Sequence, residues 1–378
     1  MAPPVAKQYY YTGFAPLTVS RNRFTHKSLS SWAVNIAVGC SHACRFCYVP
    51  DASAIKRKPE LRNFGVEDPD AEWGDYVILR PFDEKKFAAS VRRANRVALE
   101  KVNFDGNRAV IYCSTTDPYQ VFPREAGEKR RLLEAAARRM VRRSLEIIRD
   151  QSDLNVRILT RSPLAERDFD LFKSFGSRLV FGMSLPTLND ALCRAYEPKA
   201  PGVMKRLETM QKARGAGLHV YVAMAPTYPD CDEADLRVTL EAIRELNPIT
   251  VFHEPINLRA KNVERIETYA RTRGMQINTA PLKSREAWRI YAIDQLRTVQ
   301  RIARELGLET ALKLWPDAHL GSESGFLRAA EYHYRQHNSL IREGRFAKRL
   351  RREQAKQQFL TFKPWLEYWW NKVSAWPA

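Results

Sequence analysis

Short apolar, β-branched runs alternate along this chain with longer segments whose apolar positions recur every three to four residues. Six runs read as buried strands. They are Trp32 to Val38 (WAVNIAV), Ala109 to Ser114 (AVIYCS), Val156 to Thr160 (VRILT), Leu179 to Leu185 (LVFGMSL), Leu218 to Ala225 (LHVYVAMA) and Ile249 to His253 (ITVFH). Helical spacing covers residues 84–102, where Phe87, Val91, Ala94, Val97 and Ala98 share one stripe, and then 125–149, 164–175, 203–216, 233–246 and 285–306. Residues 49–75, with Pro50, Pro59 and Pro69, read as a long loop of the kind used as a functional lid or left disordered. Thr310 to Trp315 is a candidate further strand, and from Gly325 onward the chain reads as helical and basic, ending in aromatic residues.

Strands buried on both faces and separated by helices indicate a parallel α/β sheet, either an open doubly wound sheet or a partial barrel. No G-x-G-x-x-G turn follows the first strand, which weakens the dinucleotide-binding version. Polar motifs fall at the C-terminal ends of the strands, where α/β barrels keep their chemistry. The expected organisation is a leader over 1–31, a barrel core over 32–258 and a C-terminal extension over 259–378 that closes the barrel or contacts substrate.

Lys and Arg number 62 against 43 Asp and Glu, a formal net charge of +19. That surplus serves solubility or a polyanionic partner, since clustered cations release counterions from phosphates on binding. No secretory pattern occupies Met1 to Arg23, and no stretch of about 18 apolar residues argues for a membrane span. Of six cysteines, three fall within eight residues while Cys113, Cys193 and Cys231 are scattered, which suits a metal site in a reducing cytoplasm better than a disulfide framework.

The clustered three are Cys40, Cys44 and Cys47, spaced C-x3-C-x2-C directly after a strand. Thiolates are soft ligands suited to iron–sulfur clusters or zinc. A structural zinc wants four ligands, and neither the isolated cysteines nor His42 is an obvious fourth. Three thiolates on a four-iron cluster leave one iron open, as catalysis requires.

This loop, with the aromatic Phe46 before its last cysteine, resembles the radical S-adenosylmethionine superfamily. The resemblance implies a [4Fe-4S] cluster on Cys40, Cys44 and Cys47, S-adenosyl-L-methionine chelated at the open iron, and reductive cleavage to a 5′-deoxyadenosyl radical. It implies a partial (β/α)6 TIM-type barrel, matching the six strands, and a reducing partner such as flavodoxin or ferredoxin.

Downstream, the stretches Cys113 to Gln120 (CSTTDPYQ), Thr160 to Ser162 with Arg167 and Asp168, Glu197-Pro198 followed by Arg206-Leu207, and Pro226 with Pro229 are similar to the spore photoproduct lyase-like branch. By position, that resemblance implies Phe46 against the adenine, and Ser114, Thr115 and Thr116 toward the cosubstrate's amino group. It implies Arg161, in place of the branch's frequent Lys, on the methionine carboxylate, and Ser184 on the carboxylate or ribose. Cys113 corresponds to a hydrogen-atom donor and Tyr48 to its relay partner, whereas Phe46 lacks the phenol expected at its position. Cys113 as a small buried strand residue, and Arg161 and Ser184 as ordinary strand-end polarity, are the plainer readings.

His253 and Glu254, in the run FHEPIN, are expected at the same rim, as an acid/base pair or as hydrogen-bonded rim residues. The cations between Lys129 and Arg143 decorate one helix and read as a solvated face. Those from Arg342 to Lys356 lead into Phe359, Phe362, Trp365, Tyr368, Trp369, Trp370 and Trp376, a pattern fit for phosphate and base contact or for packing. The leading reading is a radical enzyme of lyase type acting on a DNA photolesion. Its alternatives are a peptide or small-metabolite substrate, and a zinc-containing nucleic-acid-binding protein.

Overall fold

The computed structural model describes residues 15–22, 30–51, 57–98, 102, 108–122, 126–259, 261–317 and 320; the basic and aromatic C-terminal stretch lies outside them. The first apolar run, expected as one strand, is two. A short β1 (Ser20–Arg21) pairs antiparallel with β2 (Trp32–Val34), and then Asn35 interrupts the run. A half-buried amide favours partners, and Asn35 finds them in the loop after a later strand, where the run leaves the sheet. The chain resumes as β3 (Ala37–Gly39).

The segment expected as a long loop, 49–75, holds a helix, α1 (Lys58–Arg62), and just beyond it comes a strand, β4 (Val77–Leu79), antiparallel to β3. With Val38, Val49, Leu61, Phe64, Val66, Trp73, Tyr76 and Ile78 it forms a separate small core, against which Cys40, Cys47 and Tyr48 pack. The cysteine loop therefore rests on a folded platform. Each fully buried Leu, Ile or Phe of such a core contributes about 1.5–3 kcal/mol.

Helix α2 (Glu84–Asn95) starts at Asp83, whose carboxylate caps Lys86 N at 3.0 Å. It stops earlier than its apolar stripe predicts because Arg108 takes the Asn95 carbonyl that the next turn would use. The strand β5 (Ala109–Tyr112) follows, then α3 (Lys129–Gln151), which begins after Gly127 (φ +56°) rather than at residue 125. β6 (Asn155–Thr160) leads into a 3-10 turn over Pro163–Asp168 and α4 (Phe169–Lys173). β7 (Leu179–Ser184) is followed by α5 (Asp190–Tyr196), which the spacing did not reveal, and by α6 (Val203–Gly215). β8 (Val220–Thr227), α7 (Glu233–Glu245), β9 (Thr250–Pro255), a further unexpected helix α8 (Asn262–Thr272), α9 (Arg285–Glu305) and β10 (Leu312–Leu314) complete the order.

The main sheet runs β1-β2-β5-β6-β7-β8-β9-β10, with every pair after the first parallel. Parallel strands added in strict chain order have no point where the order reverses, as a doubly wound sheet would. This is a partial TIM-type barrel: the six expected strands are present, and β10 adds a seventh. Alternate residues face opposite ways. Ile158, Phe181, Met183, Val222 and Val251 pack with the helices, while Val180, Tyr221 and Phe252 form a cluster on the other face with Leu159 and Trp315. The described part of the extension is integral to the barrel, because β10 pairs with β9 and Trp288 on α9 donates to Ile256 O at 2.8 Å.

Candidate active site

The cysteine loop leaves β3 at Gly39, where the backbone turns with φ +89°. A Cβ there would fall 2.2 Å from Tyr76 O, so only glycine lets the loop start this close to its platform. Gly74 does the same opposite Ala43, where a Cβ would lie 2.3 Å from the alanine methyl.

Contacts from the loops that follow the strands then fix the cysteine loop over the C-terminal rim. After β5, Thr116 Oγ1 donates to Gly39 O at 2.6 Å, and Gln120 Nε2 donates to the same hydroxyl at 2.6 Å. Gln120 Oε1 accepts from Ser41 N at 2.7 Å, closing the clamp. At the end of α5 and just beyond it, Arg45 N donates to Tyr196 O at 2.9 Å and Lys199 N to His42 O at 3.3 Å. The His42 ring lies 3.5 Å from Asp117, turned to that carboxylate. Asp117 also accepts from Tyr119 N, from Thr160 Oγ1 at 2.7 Å and from Arg161 N at 2.8 Å, tying β5 to β6.

Cys44 is buried, whereas Cys40 and Cys47 keep part of their surface open. Burial pushes all three thiols upward, Cys40 to about 12, so their thiolate forms call for a bound cation. Among the described residues no group of three or more His, Cys, Asp or Glu side chains converges on a single ion position. Three soft sulfurs spread along one loop suit the separate corners of a cluster.

The expected cosubstrate residues gather around this loop. Phe46 lies 5.9 Å from the Tyr228 ring, with the Arg161 guanidinium 5.8 Å from its own ring centre. Arg161, one-fifth exposed, sits with Nε 3.1 Å from Glu197 Oε2, an ion pair without hydrogen-bond alignment. Glu197 also takes Arg206 Nη2 at 2.5 Å and the Tyr228 hydroxyl at 3.1 Å. Burial alone would raise this carboxyl, but the two guanidiniums outweigh it and hold it at about 2. Ser114 and Thr115 are pinned by Asn35, whose Oδ1 accepts from both amides at 2.9 and 3.0 Å. Thr116 and Ser184 turn their hydroxyls to backbone, Thr116 to Gly39 O and Ser184 to Ala225 O at 3.1 Å.

Tyr48 reaches the turn that follows β5, the strand that ends just before Cys113. The Tyr48 hydroxyl donates to Ser114 O at 3.3 Å, one residue beyond Cys113. Cys113 is buried, and burial pushes its thiol above the ordinary range.

His253 is a correction. It does not share a rim with Glu254, because neighbours on a strand face opposite sides. His253 is fully buried on the side of Val251, 3.1 Å from Thr227 Oγ1, and desolvation lowers it to about 3. Glu254 faces the other way, within electrostatic reach of Tyr48, and accepts from Asn257. The cations of α3 line a solvated face, and three of those between Lys129 and Arg143 are ion-paired: Arg130 with Glu134, Arg142 with Asp168 and Asp170, Arg143 with Glu84.

Several residues at the site carried no assigned role in the sequence. Asn35 was the legible one, an amide inside an apolar run. Gln120 and Glu197 stood within quoted motifs. Asn262 and Arg265, on α8, gave no signal at all.

A parallel partial barrel with an incomplete thiolate set over its C-terminal rim defines a class of protein that holds a metal cluster beside a cosubstrate. The Radical SAM superfamily profile matches residues 34–243, and the chain belongs to that superfamily. Its cofactors are accordingly a [4Fe-4S] cluster and S-adenosyl-L-methionine. The chain is 31% identical over 266 residues to the uncharacterized protein ORF301 of Acidianus two-tailed virus, covering 67% of this chain and 76% of that one. It is 24% identical over 233 residues to the uncharacterized protein MJ0683 of Methanocaldococcus jannaschii, covering 61% and 72%.

Among solved structures, spore photoproduct lyase complexed with dinucleoside spore photoproduct shares the fold at TM-score 0.53 and 13% identity, over 78% of this chain and 80% of that one. A mutant of that lyase with bound AdoMet and the dinucleoside photoproduct matches at TM-score 0.52, 13% identity and the same coverage. Among the described residues no helix is long and apolar enough to cross a membrane.

Proposed function

We propose that the chain is a lyase-type radical S-adenosylmethionine enzyme acting on a thymine photolesion in DNA. Cys40, Cys44 and Cys47 hold the cluster, and Tyr48 and Cys113 handle the returning hydrogen atom. The observation that carries this reading is the Tyr48 hydroxyl on Ser114 O, which joins the end of the cysteine loop to the turn that bears Cys113.

The bound cosubstrate supplies, after one-electron reduction of the cluster by a donor such as flavodoxin or ferredoxin, a 5′-deoxyadenosyl radical that abstracts hydrogen from substrate. The chain's own residues do the rest. Phe46 offers an aromatic face for the adenine. Arg161, anchored at its Nε end by Glu197, offers its guanidinium to the methionine carboxylate. Backbone of Ser114 to Thr116, held by Asn35 and Gly39, would take the amino group, and Ser184 would contact the carboxylate or ribose. Cys113 would give a hydrogen atom from its S–H bond to the product radical. The thiyl radical left behind would be refilled from the Tyr48 O–H, which in turn would recover the atom held by 5′-deoxyadenosine. Burial keeps the thiol protonated through neutral pH.

The likeness to a photoproduct lyase fold and the +19 net charge support a DNA substrate. Exposing a lesion costs a few kcal/mol of stacking and pairing, which phosphate contacts offset. A reducing cytoplasm is the compartment proposed for the chain, since cysteines meant for a metal cluster must stay as thiols.

The test is anaerobic reconstitution with iron, sulfide, S-adenosylmethionine and dithionite on irradiated and undamaged DNA. Thymine restored only in irradiated DNA, with binding that weakens steeply with salt, is the expected result. Cosubstrate cleavage with both DNAs untouched would move the substrate to a peptide or small metabolite.

A further inference from the structure

The matched superfamily segment ends at residue 243, and α8 lies beyond it. Two of its side chains, three residues apart and therefore on one face, nonetheless turn onto three consecutive carbonyls of the cysteine loop. Arg265 Nε donates to Arg45 O at 3.1 Å, and Nη2 donates to Cys47 O. Asn262 Nδ2 donates to Asn257 O at 2.8 Å and reaches Phe46 O at 3.4 Å. The remaining arm of the guanidinium, Nη1, pairs with Asp70, and Asp51 Oδ2 lies 3.8 Å away. Arg265 and Asp70 are both buried. One turn on, the Arg45 guanidinium lies 4.5 Å over the Tyr269 ring, extending the same contact to the surface.

A planar guanidinium presents five donors in a fixed fork and stays charged at any working pH. One Arg therefore orders two backbone carbonyls of the loop and balances two carboxylates, Asp70 and Asp51, the second within electrostatic reach of Cys47. A single ammonium has no such fork. We propose that Arg265 is a positioning residue that sets the reduction potential of the cluster and braces the loop segment carrying Cys44 and Cys47. The proposal rests on those cysteines being cluster ligands.

Its physical basis is charge. When an external one-electron reductant adds an electron, the cluster gains one negative charge and nothing else changes in composition. In a poorly solvated site a fixed cation favours that gain, and uncompensated carboxylates oppose it. Asp70 and Asp51 without Arg265 would be such carboxylates.

The experiment is a dithionite redox titration followed by EPR on the full-length chain, reconstituted anaerobically, with an iron count on each sample. Arg265→Gln should move the midpoint to more negative potential, and Asp70→Asn should move it to more positive potential. The double variant should return toward the wild type. Arg265→Lys should keep the midpoint near wild type but release iron to a chelator faster. A merely structural brace would lower the iron count in these variants without moving the midpoints in opposite directions, and that result overturns the proposal. If Arg265→Gln does not fold, Asp70→Asn decides alone, since an unmoved midpoint there is equally fatal. A wild-type chain that assembles no cluster would instead remove the cysteine assignment itself. An intact wild-type cluster indifferent to both residues removes only the role of Arg265.

Discussion

Glu197→Gln is the perturbation whose size the structure fixes best. The carboxylate is fully buried and serves two guanidiniums, Arg206 at 2.5 Å and Arg161 at 3.1 Å. Burial disfavours its charge, yet the pair holds it at about 2, against an ordinary 4.5. At about 1.4 kcal/mol per tenfold change in proton affinity, that lowering is worth roughly 3 kcal/mol of folding stability. The figure agrees with the about 3–5 kcal/mol seen when a buried ion pair loses one partner.

Because the folded-state value is depressed, the stabilisation is complete above 4.5 and is lost as pH falls toward 2. Urea unfolding of the full-length variant and wild type, in the same metal state, should therefore differ by roughly 3 kcal/mol at pH 7. The difference should shrink steadily as the pH is lowered through 4. A variant within about 0.5 kcal/mol of wild type at pH 7, the range of an unremarkable surface change, would show that Glu197 is not the hub described.

Other residues give equally direct outcomes. Alanine at Cys40, Cys44 or Cys47 should abolish bound iron and 5′-deoxyadenosine formation while leaving the circular dichroism of the barrel intact, which iron analysis and product chromatography check. Arg161→Met should weaken S-adenosylmethionine binding by roughly 10- to 100-fold, the worth of a charge-assisted hydrogen bond, in equilibrium dialysis; a decarboxylated analogue should bind both proteins alike. Cys113→Ala should keep the cluster and cosubstrate cleavage but lose clean product. In the wild type burial raises the Cys113 thiol above 9.0, so the hydrogen donor should persist as pH rises through that value, and product yield falling below pH 8 would contradict it.

The fold was legible because its signal is periodic. Six apolar runs separated by helices became six parallel strands in chain order, and the absence of a glycine-rich turn correctly disfavoured a reversal. The elements that escaped had short or weak patterns. α5 spans seven residues, and α8 buries only Asn262, Arg265, Ile266 and Ala270, two of them polar. The break at Asn35 was visible as an amide in an apolar run, but its partners lie 79 and 80 residues away and no local rule supplies them.

At the site, the spacing of Cys40, Cys44 and Cys47 marked them as candidate metal ligands, and the cluster itself came from the family resemblance. Thr116 and Gln120 were not readable as a clamp, because their targets are backbone atoms of another loop. His253 was misplaced for a simpler reason: adjacency in sequence was taken as adjacency at the rim, where strand alternation puts it on the far side of Glu254.

Low-temperature EPR of the dithionite-reduced, reconstituted protein, recorded before and after adding S-adenosylmethionine, bears most directly on the metal centre. A four-iron signal that changes shape on addition is expected, because with three cysteines on the cluster the cosubstrate would ligate the fourth iron. A signal that the compound leaves unaltered, in a protein with four irons and no 5′-deoxyadenosine formed, would mean that the cluster is fully held by side chains and that the account is wrong.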